Sequence, residues 1–180
     1  MTTEQDERTI AGPDTWRGNV EAIYIAESAG APMQELSEVR AIPGQGLEGD
    51  RYLSGTGHYS DKPSGGGREV TLIEIEAIRH LDGGVITSWG TQLDIKLAGG
   101  ETRRNIVTSG VPLNHLLDRE FWVGDVLMRG TRLSEPCNYL EKLTSRPGIR
   151  MALMHRGGVR ANILNEGVIR ASDGIWLNRD

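Results

Sequence analysis

The stretch Phe121-Trp122-Val123-Gly124-Asp125-Val126-Leu127-Met128-Arg129 sets the architecture. Two short apolar runs flank a Gly-Asp pair, the pattern of two strands joined by a tight turn. Runs this short cannot make a helix of ordinary length. The pattern recurs where Val159 to Leu164 and Val168 to Arg170 flank the turn Asn165-Glu166-Gly167, with Ile175 to Leu177 beyond. Thr131 to Leu133 reads as one more strand. Upstream, Val20 to Ala26, Val39 to Ile42, Val70 to Ile73 and Arg104 to Thr108 read likewise. Helices are few and short. One carries Ala77, Ile78 and Leu81 on a shared face and stops at Gly83-Gly84. A second opens at Pro112 and runs through Leu116-Leu117, and a third carries Tyr139, Leu140 and Leu143. Many short strands with a few short helices predict an α+β domain, mainly β and barrel-like.

A chain of 180 residues suits one domain. It holds 24 glycines, one phenylalanine, four tyrosines and four tryptophans, so the core is aliphatic and turns are frequent. The net charge of −5 argues against a dedicated duplex DNA binder, which needs a dense basic face. No apolar run approaches the roughly 18 residues of a membrane-spanning helix. Met1 to Glu7 lacks the apolar core of a signal peptide. The single cysteine, Cys137, excludes an internal disulfide framework, and a cytoplasmic setting is expected. Residues 1–17 read as a flexible tail before a single domain over 18–180. Asp61 to Gly67, with its three glycines, reads as a mobile loop bordering the substrate entrance.

Two apparent motifs fail. Gly44-Gln45-Gly46-Leu47-Glu48-Gly49 fits a dinucleotide-binding pattern. That site needs a helix opening at the third glycine, and Asp50-Arg51-Tyr52-Leu53-Ser54-Gly55-Thr56-Gly57 does not supply one. The glycines read as turns between strands. His58, His80, His115 and His155 show no metal-ligand spacing. His80 and His115 are expected to face solvent, whereas His58 and His155 lie beside glycine-rich segments and are expected near a cleft.

Three glycine-containing segments gather the reactive residues. The first is Gly46-Leu47-Glu48-Gly49-Asp50-Arg51-Tyr52, and the second is Glu101-Thr102-Arg103-Arg104-Asn105-Ile106. The third runs from Gly124-Asp125 through Ser134-Glu135-Pro136-Cys137 to His155-Arg156-Gly157-Gly158-Val159-Arg160-Ala161. Pro136 suits the first position of a helix, with Glu135 or Ser134 capping it. Cys137 then falls in the first turn, where free N–H groups favour a thiolate. A thiolate serves sulfur transfer or ligation of a soft metal. Glu135 beside it opposes that charge unless an arginine intervenes, and the two form the candidate catalytic pair. Composition and spacing alone leave open that Cys137 is a small core residue. Strand alternation places Arg103 and Asn105 on one face and Arg104 on the other, so one arginine at least should line the cleft near Cys137.

The ordered motifs G-L-E-G-D-R-Y, R-R-N-I-V-T-S-G, V-G-D-V-L near E-P-C, and G-G-V-R-A-N-I-L-N-E-G resemble the MOSC domain, the C-terminal domain of molybdenum cofactor sulfurases. The resemblance spans about Gly18 to Leu177. It implies a MOSC-like β-barrel with short peripheral helices. It also implies a bound molybdenum cofactor, a pyranopterin with a terminal phosphate, whose metal Cys137 ligates. Arg103, Arg104 and Asn105 would meet the phosphate and pterin edge, with Asp50 and Arg51 from the first motif. Gly157 and Gly158 would let the backbone approach a flat ligand, and Arg160 would add charge. Some members reduce small N-hydroxylated compounds with electrons from a separate donor protein. Others are proposed sulfur carriers, with a persulfide formed from a sulfur donor on the same cysteine. A binding domain that keeps the barrel without the metal is a third expectation. Hydroxylaminopurine-reducing relatives carry a lysine after the first strand and a threonine two residues before the cysteine. Here those places hold Ala26-Glu27-Ser28 and Glu135.

Overall fold

In the computed structural model, which describes residues 16–62, 68–86 and 90–178, short strands dominate. The first four are β1 (Gly18–Ile25), β2 (Gln34–Leu36), β3 (Glu38–Ile42) and β4 (Gly46–Leu47). Next come β5 (Val70–Glu74), helix α1 (Ile75–Asp82), β6 (Val85–Ile86), β7 (Gln92–Leu93) and β8 (Ile106–Ser109). Then follow β9 (Glu120–Val123), β10 (Val126–Leu133), α2 (Asn138–Thr144) and α3 (Ile149–Ala152). The last strands are β11 (Val159–Ile163), β12 (Gly167–Arg170) and β13 (Gly174–Leu177). Tight 3-10 turns occupy Gly99–Thr102 and Leu113–Leu116.

Seven strands close a ring in the order β13-β9-β10-β11-β5-β8-β1, because β1 pairs back onto β13. Closure removes the unpaired edges an open sheet would expose. Strand β2 lies outside β1, and β12-β3-β4 form a small separate sheet. Within the ring only β5 and β8 run parallel. Parallel neighbours need a long crossover, and α1 lies in it.

Alternation sorts the side chains into two cores. On β5 and β8, Leu72 and Ile106 point into the barrel beside Phe121, Met128 and Val159. The next residues, Ile73 and Val107, point outward and pack with Ile78, Leu81, Leu140, Ile149 and Leu153 under the helices. Both faces of these strands are therefore covered, which explains their continuous apolar runs. Ala77, Ile78 and Leu81 are the buried face of α1, and Gly83 caps it, as the periodicity predicts.

The structure differs from expectation at several places. The chain from Arg103 to Asn105 is a turn, and its strand starts at Ile106. Arg103 takes a left-handed conformation, φ 62°, where the 3-10 turn ends, so strand alternation does not apply to these residues. Val126 to Arg129 and Thr131 to Leu133 are one strand, bulged between Gly130 and Arg132. Trp16 already packs on the barrel core, and Arg17 lies 5.2 Å over the Trp176 ring. The rest of the expected tail lies outside the described residues, as do residues 63–67 of the expected mobile loop. No helix among the described residues is long and apolar enough to cross a membrane.

Gly158 shows how closely the site is packed. Its φ is +88°, and a Cβ there would lie 1.9 Å from the Leu72 carbonyl oxygen. Gly44 also has a positive φ, +73°, but faces open space. Gly158→Ala is expected to lose about 2–4 kcal/mol and lower Tm by roughly 5–15 °C, through strain plus collision. Gly44→Ala is expected to lose only about 1 kcal/mol. Thermal melts of both variants check this, and equal Tm values would reject the packing argument.

Candidate functional site

The barrel interior is filled, so the site lies on its outer wall. A cleft of about 120 Å³ is floored by outward positions of the wall, Thr71 on β5 and Arg160 on β11, which pair in register. Arg51, Arg103, Arg104 and Arg68 also line it, with Cys137, Tyr52, Tyr59 and Tyr139. Glu135 is the one carboxylate in the lining.

Arg104 is buried. Its Nε donates to the Gly157 carbonyl at 2.7 Å and its Nη1 to the Thr102 carbonyl at 3.1 Å, while Nη2 donates to the Ser134 carbonyl. Burial, and then the charge of Arg160, bring its pKa down to about 10, so it stays charged at neutral pH. Arg103 donates through Nη1 to the Ala31 carbonyl. Its Nη2 is buried and has no acceptor among the described residues.

Asp50 and Asn105 tie the motifs together beneath the cleft. The Asp50 carboxylate, 1% exposed, accepts from Ala26 N, Tyr52 N, Arg51 Nη1 and Asn105 Nδ2. Asn105 also donates to the Tyr24 carbonyl, and its Oδ1 accepts from Thr71 at 2.8 Å. Arg51 spans to the cleft, with Nη2 donating to the Arg103 carbonyl at 3.2 Å.

Cys137 is half-buried and forms the N-cap of α2, one residue before the first turn expected for it. Its backbone is extended, at φ −126° and ψ 167°. The N–H groups of Tyr139 and Leu140 favour the negative form of the sulfur, although no side-chain cap bond closes onto them. Burial alone would raise the thiol pKa. The Tyr59 hydroxyl, those two N–H groups and the Arg104 charge outweigh it and hold the pKa below the ordinary thiol value. Tyr59 in turn is pushed up to about 12, first by its bond to the sulfur and then by burial. It therefore keeps its proton at neutral pH.

The structure thus brings Cys137, Glu135, Arg51, Arg103, Arg104 and Arg160 to one cleft. It puts both Arg103 and Arg104 there, because the turn at Arg103 replaces the expected alternation. Asp50 and Asn105 are buried behind the lining. Gly157 and Gly158 are buried too, and the close approach they permit is to the chain itself. A Cβ on Gly157 would lie 2.5 Å from the Ser134 carbonyl oxygen. Glu135 bonds His155, its carboxylate 3.0 Å from Nδ1 and 3.0 Å from the backbone N. His58 lines the cleft and stacks on Tyr139 at 3.8 Å, while His80 and His115 are exposed. Among the described residues no three His, Cys, Asp or Glu groups gather to hold a metal ion. Sequence reasoning missed Tyr59 and Arg68, whose only local signal is their place beside glycines.

The MOSC domain family matches residues 67–176. Among solved structures, the YuaD protein from Bacillus subtilis aligns with a TM-score of 0.65 at 15% identity, covering 88% of this chain and 94% of that one. YiiM from Geobacillus stearothermophilus aligns with a TM-score of 0.65 at 14% identity, covering 90% and 75%. YiiM from Escherichia coli gives 0.61 at 16%, covering 90% and 70%. At these identities the likeness is one of fold. Among curated proteins none matches this chain. Since the family match takes in well over half of the residues and reaches from before β5 into β13, six of the seven barrel strands, the chain belongs to the MOSC domain family, a family associated with the molybdenum cofactor.

Proposed function

We propose that this cleft binds the molybdenum cofactor and that the protein reduces small N-hydroxylated compounds with electrons from a separate donor protein. The observation that carries the reading is a thiol held below its ordinary pKa beside a cleft lined by five arginines. A soft thiolate suits the metal, and the arginines suit the anionic end of the pyranopterin. The donor set fits the group in detail. The buried, unanswered Nη2 of Arg103 needs an acceptor, and a terminal phosphate is one. Cys137 is the soft ligand the cleft would offer the metal.

Each residue then has a task. Cys137 would ligate the metal, with Tyr59 and the two N–H groups favouring its thiolate form. Arg103 and Arg51 hold the phosphate, and Arg104 sets its positive charge beside the sulfur. His58 and Tyr139 form a stacked aromatic wall over the opening. The cofactor, when bound, supplies the two-electron redox chemistry. A persulfide carrier would need the same thiolate but no cradle of arginines, and this favours the cofactor reading.

Two outcomes test it. Protein from a molybdenum-sufficient host is expected to carry molybdenum, and Cys137→Ser to lose most of it while its stability changes by about 1 kcal/mol or less. Elemental analysis beside a thermal melt checks this; a variant that melts far lower yet keeps its metal would make Cys137 a packing residue. For the metal-free protein, Tyr59→Phe removes a donor to the thiolate, so the thiol pKa must rise. The midpoint of iodoacetamide labelling against pH is expected to move upward, with slower labelling at pH 7. An unmoved midpoint would remove Tyr59 from the site.

A further inference from the structure

Arg160 Nε, like Arg103 Nη2, is buried and meets no acceptor among the described residues. The two belong to different neighbourhoods. Arg103 lies against Arg51 and is fixed by the Ala31 carbonyl. Arg160 lies across the floor on β11, in register with Arg132 on β10. Its neighbours Val159 and Ala161 point into the barrel core, so Arg160 points outward. Met128 on β10 also points inward, and beyond the bulge Arg132 stands exposed opposite Arg160. Arg104 feels the charges of both Arg160 and Arg51.

Two cations directly opposite each other on an antiparallel pair repel. Neither Arg132 nor Arg160 has a carboxylate partner among the described residues, whereas Arg129, also on β10, pairs with Glu120 on β9. Arg68, held by the Tyr59 and Lys62 carbonyls, adds a third positive charge near Arg160. An anion between them would relieve that repulsion. A single terminal phosphate beside Arg103 and Arg51 leaves this second group unanswered.

We propose that Arg160 and Arg132 form a second anion subsite, separate from Arg103 and Arg51, which takes a carboxylate or phosphate carried by the substrate. This moves Arg160 from the cofactor to substrate selection, and it rests on the reading that the cofactor phosphate occupies the Arg103 end. The substrate class is then N-hydroxylated compounds bearing an acidic group.

The test uses calorimetric binding to the holoprotein of a matched pair, N-hydroxybenzamidine and its 4-carboxylate, at low salt. The wild type is expected to bind the carboxylate roughly tenfold tighter than the neutral partner, and added salt to shrink the difference. Arg160→Gln is expected to erase the preference and Arg132→Gln to reduce it, with molybdenum content and Tm near wild type in both. Arg160→Lys, which keeps the charge without the planar fork, is expected to restore part of it. Equal binding of the pair by the wild type, or no binding of either, overturns the subsite. So does a preference that survives Arg160→Gln, or a loss of molybdenum in that variant, which would return Arg160 to the cofactor. A carboxylate preference in protein that carries no molybdenum and reduces neither compound with a chemical donor supports the subsite and overturns the reductase reading instead.

Discussion

The guanidinium of Arg104 is buried with no carboxylate beside it, and the site is arranged around that fact. It bonds the carbonyls of Thr102, Ser134 and Gly157, which come from three separate loops. Taking such a charge out of water costs several kcal/mol. Three charge-assisted bonds of about 1.5–3 kcal/mol each offset much of this. The Cys137 sulfur supplies the matching charge, since Arg104 favours the thiolate and the thiolate favours the charged Arg104. The lowered thiol pKa, owed first to the Tyr59 hydroxyl and the helix N–H groups, is reinforced by the buried arginine.

Asp50 plays the complementary part. Its carboxylate gathers four donors, from Ala26 just past β1, from its own turn and from Asn105, and so locks the first motif against the second. Arg51 is thereby held with one end on Asp50 and the other on the Arg103 carbonyl. The motif residues divide into a layer that faces the cleft and a layer that aims it. Gly157 and Gly158 belong to the second. Their missing side chains let the β11 entrance lie against Ser134 and Leu72, and that contact delivers the Gly157 carbonyl to Arg104.

What was legible in the sequence follows from where the information resides. The strands with apolar alternation, such as β1, β9 and β11, are readable because burial on one face leaves a local pattern. Strands β4, β6 and β7 are two residues long and exist only through distant partners, so no local pattern marks them. The arginines and Cys137 are visible as residue types beside glycines. Their geometry is not, because Arg103 lies in a left-handed turn and Cys137 caps its helix, and both shift the side chains by one position from a regular reading. Tyr59 reaches the sulfur from the segment between β4 and β5, which carries no periodic signal at all.

The sign of the site depends on which acceptors its arginines meet. The chain as a whole is acidic, at −5. On the surface, Arg40, Arg129 and Arg170 are each answered by a glutamate. In the cleft, Arg103 and Arg104 are answered by backbone carbonyls, which satisfy donors without cancelling charge. The closed barrel makes this possible. Its apolar interior leaves only outward positions for polar side chains, and its wall forms a low-dielectric backing that concentrates the field of those arginines in the cleft. An acidic protein thus presents a cationic site, because Arg103 and Arg104 in the cleft are answered by carbonyls while Arg40, Arg129 and Arg170 on the surface are answered by carboxylates.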